Sequence, residues 1–502
     1  MSMDRQTLNH AALFIAGALL PLSLAPFSLW PVAMLSIAVL FTLLPNQSPL
    51  GAFKRAALFG AGLYLTGASW IYISMYVHGD VSMAFAIFGT LSFCLLVAVV
   101  FALPFSLVAL IPQSPTVLIL AMPAIWVISE WLRSWVLTGF PWLYAGYSHT
   151  DTWLNGWAPL GGVLLLSYLT ALSGAVVAAL FQRRFSPALG LCGALIVAAF
   201  ISGAKLQTVN WTQAVDQQLS VALVQPNVDQ KDKWAVPERN KILSQLLQHS
   251  EAHWGTDIIV WPEGAIPALY TEAEDFLQVV GERATQQGSA LITGIPTNNN
   301  PQGLYYNSML VVGDGSGQYN KTRLVPFGEY VPFQALIRGL NNFFDLPMSS
   351  FSLGADNQSP LLVKQQPIAT AICYEIAYPD LVARNTRNAT MMLTVSNDAW
   401  FGDSIAPQQH MQMARMRAIE NGKPLLRGTN NGITGLVDHR GKVYRQLEQF
   451  RSSVLSGGVT PRVGATPFSR YTSWPIVSFS LIIISLLLIA SALKHQTRNT
   501  DK

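Results

Sequence analysis

Pro367-Ile368-Ala369-Thr370-Ala371-Ile372-Cys373-Tyr374-Glu375-Ile376 reads as a short buried strand that stops on a thiol. Cys373 is the only cysteine of the polar part of the chain, because Cys94 and Cys192 lie within long apolar runs. A lone thiol there cannot close an intrachain disulfide. It is either a small buried hydrophobe or a nucleophile presented at a strand end.

Outward from this segment, residues 219–460 have ordinary composition and a strand–helix rhythm. Apolar strands are expected at Leu219–Gln225, Asp257–Trp261, Ala290–Gly294, Ser308–Gly313, Ile368–Cys373 and Thr390–Val395, with paired strands at Pro424–Arg427, Gly432–Asp438 and Gly457–Val459. Helical patterns fall at Glu238–His253, Thr271–Gln286 and Pro407–Asn421. Alternating strands and helices with interspersed hairpins predict an α/β domain built on a mixed sheet. No Walker loop and no GxGxxG run occurs.

The rest of the chain is of another kind. Of 502 residues only 12% are charged and 51% are hydrophobic, with mean hydropathy +0.34. A soluble domain has about a quarter of its residues charged. No Asp, Glu, Lys or Arg occurs in residues 10–53, 56–79, 81–129, 152–182, 185–204 or 471–493. Since a crossing takes about 20 apolar residues, these runs predict a polytopic α-helical membrane protein of about eight spans. Residues 1–204 would hold about seven, two of them short ones in the stretch broken by Pro21, Pro26 and Pro31. Residues 471–493 would hold the last, with the 219–460 domain outside the bilayer. Arg5, Lys54, Arg55, Arg183, Arg184, Lys494, Arg498 and Lys502 fall on one side under this count, which the positive-inside rule makes cytoplasmic, with both termini. Glu130, Arg133 and Asp151 fall in loops on the opposite side, with the polar domain. No cleavable signal is expected, and the net charge of +4 adds little.

Two further polar segments accompany the thiol. Trp261-Pro262-Glu263 ends the apolar strand Ile258-Ile259-Val260, and Tyr319-Asn320-Lys321 follows the Gly313–Gly317 hairpin. Alone, Glu263 and Lys321 read equally well as surface residues. With Cys373 they form a chemical set: a carboxylate accepts the thiol proton, and an ammonium lowers the thiol pKa and stabilises an oxyanion.

These residues, with Val325-Pro326-Phe327-Gly328-Glu329, Cys373-Tyr374-Glu375, Ser396-Asn397-Asp398-Ala399-Trp400-Phe401-Gly402 and Gln412-Met413-Ala414-Arg415-Met416-Arg417, resemble the nitrilase (carbon-nitrogen hydrolase) superfamily. With apolar runs on both flanks, the whole chain resembles its apolipoprotein N-acyltransferase family. The resemblance implies an αββα sandwich domain in which Cys373 is the nucleophile, Glu263 the base and Lys321 the oxyanion cation. It further implies an oxyanion donor in the Tyr374 N–H, supporting roles for Glu329 and Glu375, and a substrate gate in Trp234. Trp234 follows Lys231-Asp232-Lys233 and reads equally as a cover for the core. The implied reaction is ping-pong transfer of an acyl chain from a phospholipid, phosphatidylethanolamine above all, to the α-amino group of a diacylglyceryl-modified apolipoprotein. Its place is the bacterial inner membrane, among membrane lipids, with the catalytic domain periplasmic, no cofactor and no nucleic acid. Phe343, Phe344 and Leu346, or Trp234, are candidates for dipping into the bilayer interface.

Two rivals remain at this level. A membrane-tethered amidase or nitrilase would use the same triad to hydrolyse a C–N bond, but one span would suffice as its tether. A transporter would carry ionisable residues inside its spans, where this chain has almost none. No metal site is expected: the eight histidines are scattered, and His410 has no partner at ligand spacing.

Overall fold

A computed structural model describes residues 4–79, 81–183, 187–326, 328–330 and 351–500. Phe343, Phe344, Leu346 and Arg184 lie outside the described residues. The chain divides into two compact units, one of residues 1–209, 403–412 and 471–502, the other of residues 210–402 and 413–470.

The first unit is helical. Among the described residues, five helices are long and apolar enough to cross a membrane: Met83–Leu110, Pro115–Leu132, Trp153–Phe181, Pro187–Leu206 and Trp474–Lys494. A sixth counts if the bent pair Pro49–Gly67 and Ile71–His78 is one span. The first charge-free stretch forms two helices, Arg5–Leu19 of 15 residues and Pro31–Leu43 of 13, both short of the roughly 20 a crossing needs. Pro21 sits in a 3₁₀ turn after the first, and Pro31 starts the second.

Glu130, expected in a loop, instead belongs to the last turns of the helix Pro115–Leu132 and is buried. It accepts hydrogen bonds from Trp126 Nε1 at 2.9 Å and Ala145 N at 2.8 Å. Arg133, also buried, donates to the carbonyls of Phe140 and Trp142. A charge-free run marks where the first charge stands, not where a helix ends, and local partners make these buried charges tolerable.

The second unit stacks two sheets. The strands of these two sheets are β1 (Leu219–Gln225), β2 (Ile258–Val260), β3 (Ala290–Thr297), β4 (Tyr306–Gly313), β5 (Gly315–Ser316), β6 (Gln318–Asn320), β7 (Leu361–Val363), β8 (Gln366–Ile372), β9 (Met391–Ser396), β10 (Leu425–Thr429), β11 (Gly435–Val437), β12 (Val443–Gln446) and β13 (Ser453–Val459), beside a separate antiparallel pair, Gln213–Ala214 with Arg462–Val463. One sheet runs β13-β1-β2-β3-β4-β6, the other β12-β11-β10-β9-β8-β7-β5. Each has a central parallel triplet, β1-β2-β3 or β8-β9-β10, flanked by antiparallel strands.

Strand alternation explains the layers. Leu219, Val221 and Leu223 on one face of β1 join Val260 and Ile292 against Ile368, Ile372, Leu393 and Leu426 of the other sheet. Ala222 and Val224 on the opposite face join Ile242 and Leu246 of the helix Arg239–Ser250, and Leu277 and Val280 of Tyr270–Gln286. The helix Pro379–Thr386 lies against β8 on the second sheet. Helix, sheet, sheet, helix is the expected sandwich, and its parallel strands deliver their carboxyl ends to one edge.

Candidate active site

At that edge β2, β6, β8 and β9 run out one after another. Three residues beyond β2 stands Glu263, one beyond β6 stands Lys321, one beyond β8 stands Cys373, and Ser396 closes β9. Ile372 pairs in register with Val395, so Cys373 and Ser396 emerge side by side. Cys373 adopts φ 53°, a left-handed conformation that costs a side-chain-bearing residue about 1–3 kcal/mol. That turn swings the thiol off the strand direction at the start of the short 3₁₀ helix Cys373–Ala377.

Lys321 is 1% exposed, and its ammonium is shared between two carboxylates. Nζ stands 3.2 Å from Glu263 Oε1 and 2.8 Å from Glu329 Oε1. Asn307 Nδ2 bridges the same two oxygens, at 2.9 and 2.8 Å. The second oxygen of Glu263 accepts the backbone N–H of Asn397 at 2.8 Å, and that of Glu329 accepts Val325 N at 2.8 Å. The Glu263 carboxylate therefore bonds to groups of both sheets.

Gly294 makes this possible. A Cβ there would lie 2.4 Å from the carbonyl of Pro262 and 2.8 Å from the Cα of Glu263, so only glycine lets the Glu263 turn settle on β3.

Glu375 is fully buried and contacts neither the thiol nor Lys321 by a hydrogen bond among those described. Its carboxylate accepts Ile372 N at 2.7 Å, Thr322 N at 2.6 Å, Thr322 Oγ1 at 2.7 Å, Arg323 N at 3.2 Å and Tyr319 OH at 3.1 Å. It thus ties the residue before Cys373 to the residues after Lys321. Tyr374 follows the thiol with its ring edge-on to Tyr378, centroids 5.2 Å apart. Trp234 is half-buried, and its indole lies over Gly264: a Cβ at that glycine would meet Trp234 Cζ2 at 3.6 Å.

The electrostatics follow from this packing. Burial pushes the Glu263 carboxyl up, but Lys321, Lys233, Asn307 and the Asn397 N–H overcome it and hold it below its ordinary value. Burial likewise opposes the Lys321 charge, and Glu263 and Glu329 more than restore it, leaving the ammonium held well above its ordinary range. The thiol departs from expectation. Burial and the Glu263 charge drive Cys373 well above a normal thiol, and Lys321 offsets only part of this. The resting group is a thiol beside an ionised carboxylate, so ionisation must be coupled to attack.

Ser396 Oγ lies 3.3 Å from Cys373 Sγ and 2.6 Å from Asp398 Oδ1, and Asp398 is paired with Arg427 at 2.8 Å. A hydroxyl has one proton, and the shorter contact to the carboxylate takes it. The hydroxyl oxygen therefore faces the thiol as an acceptor.

Glu263, Lys321, Cys373, Glu329 and Glu375, chosen from sequence, thus converge, with Trp234 at their margin. Asn307, Lys233, Ser396 and the Asn397 N–H were not singled out. Ser396 and Asn397 stand in the quoted Ser396–Gly402 run and Lys233 beside Trp234, whereas nothing local marks Asn307. Among the described residues, no group of three or more His, Cys, Asp or Glu is placed to hold a metal ion.

Residues 16–176 match the apolipoprotein N-acyltransferase N-terminal domain, and residues 220–468 match carbon-nitrogen hydrolase. The chain is 44% identical to the apolipoprotein N-acyltransferase of Azotobacter vinelandii, across 94% of this chain and 93% of that one. It is 42% identical to that of Pseudomonas aeruginosa strain UCBPP-PA14, across 98% and 97%. With the Pseudomonas putida counterpart it shares 43% over 95% of each. Identity of that degree runs through the helical unit and the sandwich alike, and the chain belongs to the apolipoprotein N-acyltransferase family, enzymes of the carbon-nitrogen hydrolase superfamily.

Proposed function

We propose that the chain transfers an acyl group from a phospholipid, phosphatidylethanolamine above all, through a thioester on Cys373 to the α-amino group of a diacylglyceryl-modified apolipoprotein cysteine. The observation that carries this reading is the Glu263 carboxylate paired with buried Lys321 at the strand edge where Cys373 emerges in a left-handed turn. Cys373 sulfur attacks the ester carbonyl while Glu263 takes the thiol proton. The carbonyl oxygen becomes an oxyanion opposite Lys321 and the Tyr374 N–H. Collapse breaks the C–O bond, and the proton on Glu263 leaves with the lysophospholipid hydroxyl. In the second half the acceptor amine attacks the thioester, Glu263 accepts an amine proton, and that proton passes to the sulfur as the C–S bond breaks, returning the thiol and the ionised carboxylate.

The same proposal assigns residues 1–204 and 471–493 to eight crossings of the bacterial inner membrane. Residues 219–460 then lie on the periplasmic side and both termini in the cytoplasm.

An amine outcompetes water only if the thioester is kept water-poor until the acceptor arrives. With labelled phospholipid alone, the protein is expected to gain a hydroxylamine-labile acyl group that persists. A diacylglyceryl-cysteinyl peptide should discharge it as amide, and Cys373→Ser should gain none. Rapid release of free fatty acid, unchanged by the peptide, would instead identify a hydrolase.

A further inference from the structure

The loop after β1 carries a second buried ammonium that the steps above do not use. Lys233 is 5% exposed, and its Nζ donates to the backbone carbonyl of Glu263 at 2.9 Å. Two features set it there. Its own N–H closes a turn onto Asp229 O at 3.1 Å, and its stem crosses Gly264, where a Cβ would stand 3.3 Å from Nζ and 3.4 Å from Cε. Gly264 has φ 55°, so glycine serves both the turn and the room for the lysine.

An ammonium with so little water is expensive unless negative charge stands near it. Glu263 and Glu329 share the single Lys321 charge, which leaves one negative charge over. The other titrating groups are Cys373, with Asp398 behind it through Ser396, and Glu375 beyond Thr322. Arg427 is taken up by its pair with Asp398, and none of these groups adds a net positive charge. Lys233 supplies the missing positive charge, and without it two buried carboxylates on one lysine would favour retention of a proton by one of them.

We propose that Lys233 is a positioning residue that keeps Glu263 ionised, and therefore competent as a base, at neutral and mildly acidic pH. This rests on Glu263 being the base, as proposed above. Burial pushes Lys233 itself down to about 8, with Glu263 and Cys373 pulling the other way, so it is still mostly charged at neutral pH. The sign follows: removing Lys233 raises the pKa of Glu263, which moves the acid limb of the acylation rate upward and leaves the rate recoverable at higher pH.

The test is the rate of acyl-enzyme formation from a labelled phospholipid, with no acceptor, across pH, for the intact detergent-solubilised protein. Lys233→Met, which keeps the stem over Gly264, should have its acid limb moved up by about one pH unit or more, so that it is roughly tenfold or more slower at a pH well down the wild-type limb, and should stay within about threefold of wild type near pH 8.5. Lys233→Arg, which keeps the charge, should retain the wild-type acid limb. Lys233→Met equally slow at every pH, or with an unmoved acid limb, would overturn the inference. So would Lys233→Arg with its acid limb raised, and that variant decides the matter if the methionine variant does not fold. Glu263→Gln separates the two readings. A wild-type rate in it would remove the base and this inference together; a slow Glu263→Gln beside an unaltered Lys233→Met would remove this inference alone.

Discussion

Cys373 has charged neighbours of opposite effect on its ionisation, Glu263 and Asp398 against Lys321, and that opposition can be measured. Only the thiolate is alkylated, and a free cysteine ionises near pH 8.5. With its pKa raised by burial and Glu263, Cys373 should react with iodoacetamide more slowly than free cysteine at neutral pH, its rate still climbing above about pH 9. Glu263→Gln removes the largest electrostatic contribution opposing ionisation, so alkylation should speed up by roughly three- to tenfold. Lys321→Met removes the main attraction and should slow it. Both substitutions should nevertheless cut acyl-enzyme formation by roughly a hundredfold, through loss of base and of oxyanion cation respectively. A Glu263→Gln protein that is both slow to acylate and slow to alkylate would mean that its carboxylate holds the site's shape rather than taking a proton.

At the scale of elements, the end of β8 and the segment after β6 come from different sheets, and Glu375 joins them. Its oxygens face donors on every side: Ile372 N, Thr322 N and Oγ1, Arg323 N and Tyr319 OH. In Glu375→Gln one acceptor becomes an NH₂ pointing at an N–H. An unmet buried donor costs about 1–3 kcal/mol. The left-handed turn at Cys373 depends on that restraint, so the variant should show both a lower thermal midpoint in detergent and slower acylation. Unchanged melting and an unchanged rate would show that strand pairing alone holds the turn.

For the whole molecule, the proposed topology fixes which loops an impermeant reagent reaches. In a Cys373→Ser background, a cysteine replacing Asp314 should be labelled by an impermeant reagent added to intact spheroplasts. One replacing Arg55 should be labelled only after lysis. The first two helices decide this count, because at 15 and 13 residues they are shorter than a full crossing, and one more or one fewer span reverses every later loop. Labelling at Arg55 and not at Asp314 would put the sandwich in the cytoplasm.

Periodicity and charge are local properties, and what depends on them was legible in the amino-acid sequence. The charge-free runs marked the apolar helices, and β1 occupies the expected Leu219–Gln225, because burial of a strand or a span must be written into its own residues. Glu263 and Cys373 were legible too, since each follows an apolar strand whose end must turn outward, whereas Lys321 follows the polar Gln318-Tyr319-Asn320 and stood out only in company with them. Contacts between distant segments are decided by packing alone. Asn397 lies 134 residues from the carboxylate it holds, Asn307 lies 44 away and Lys233 lies 30 away, and no pattern within any of these segments encodes the partner. The state of the thiol was misjudged for the same reason. A neighbouring lysine lowers a thiol's pKa in water, but in this enclosed edge, desolvation and the carboxylate outweigh it, and both come into being only when the two sheets close on each other.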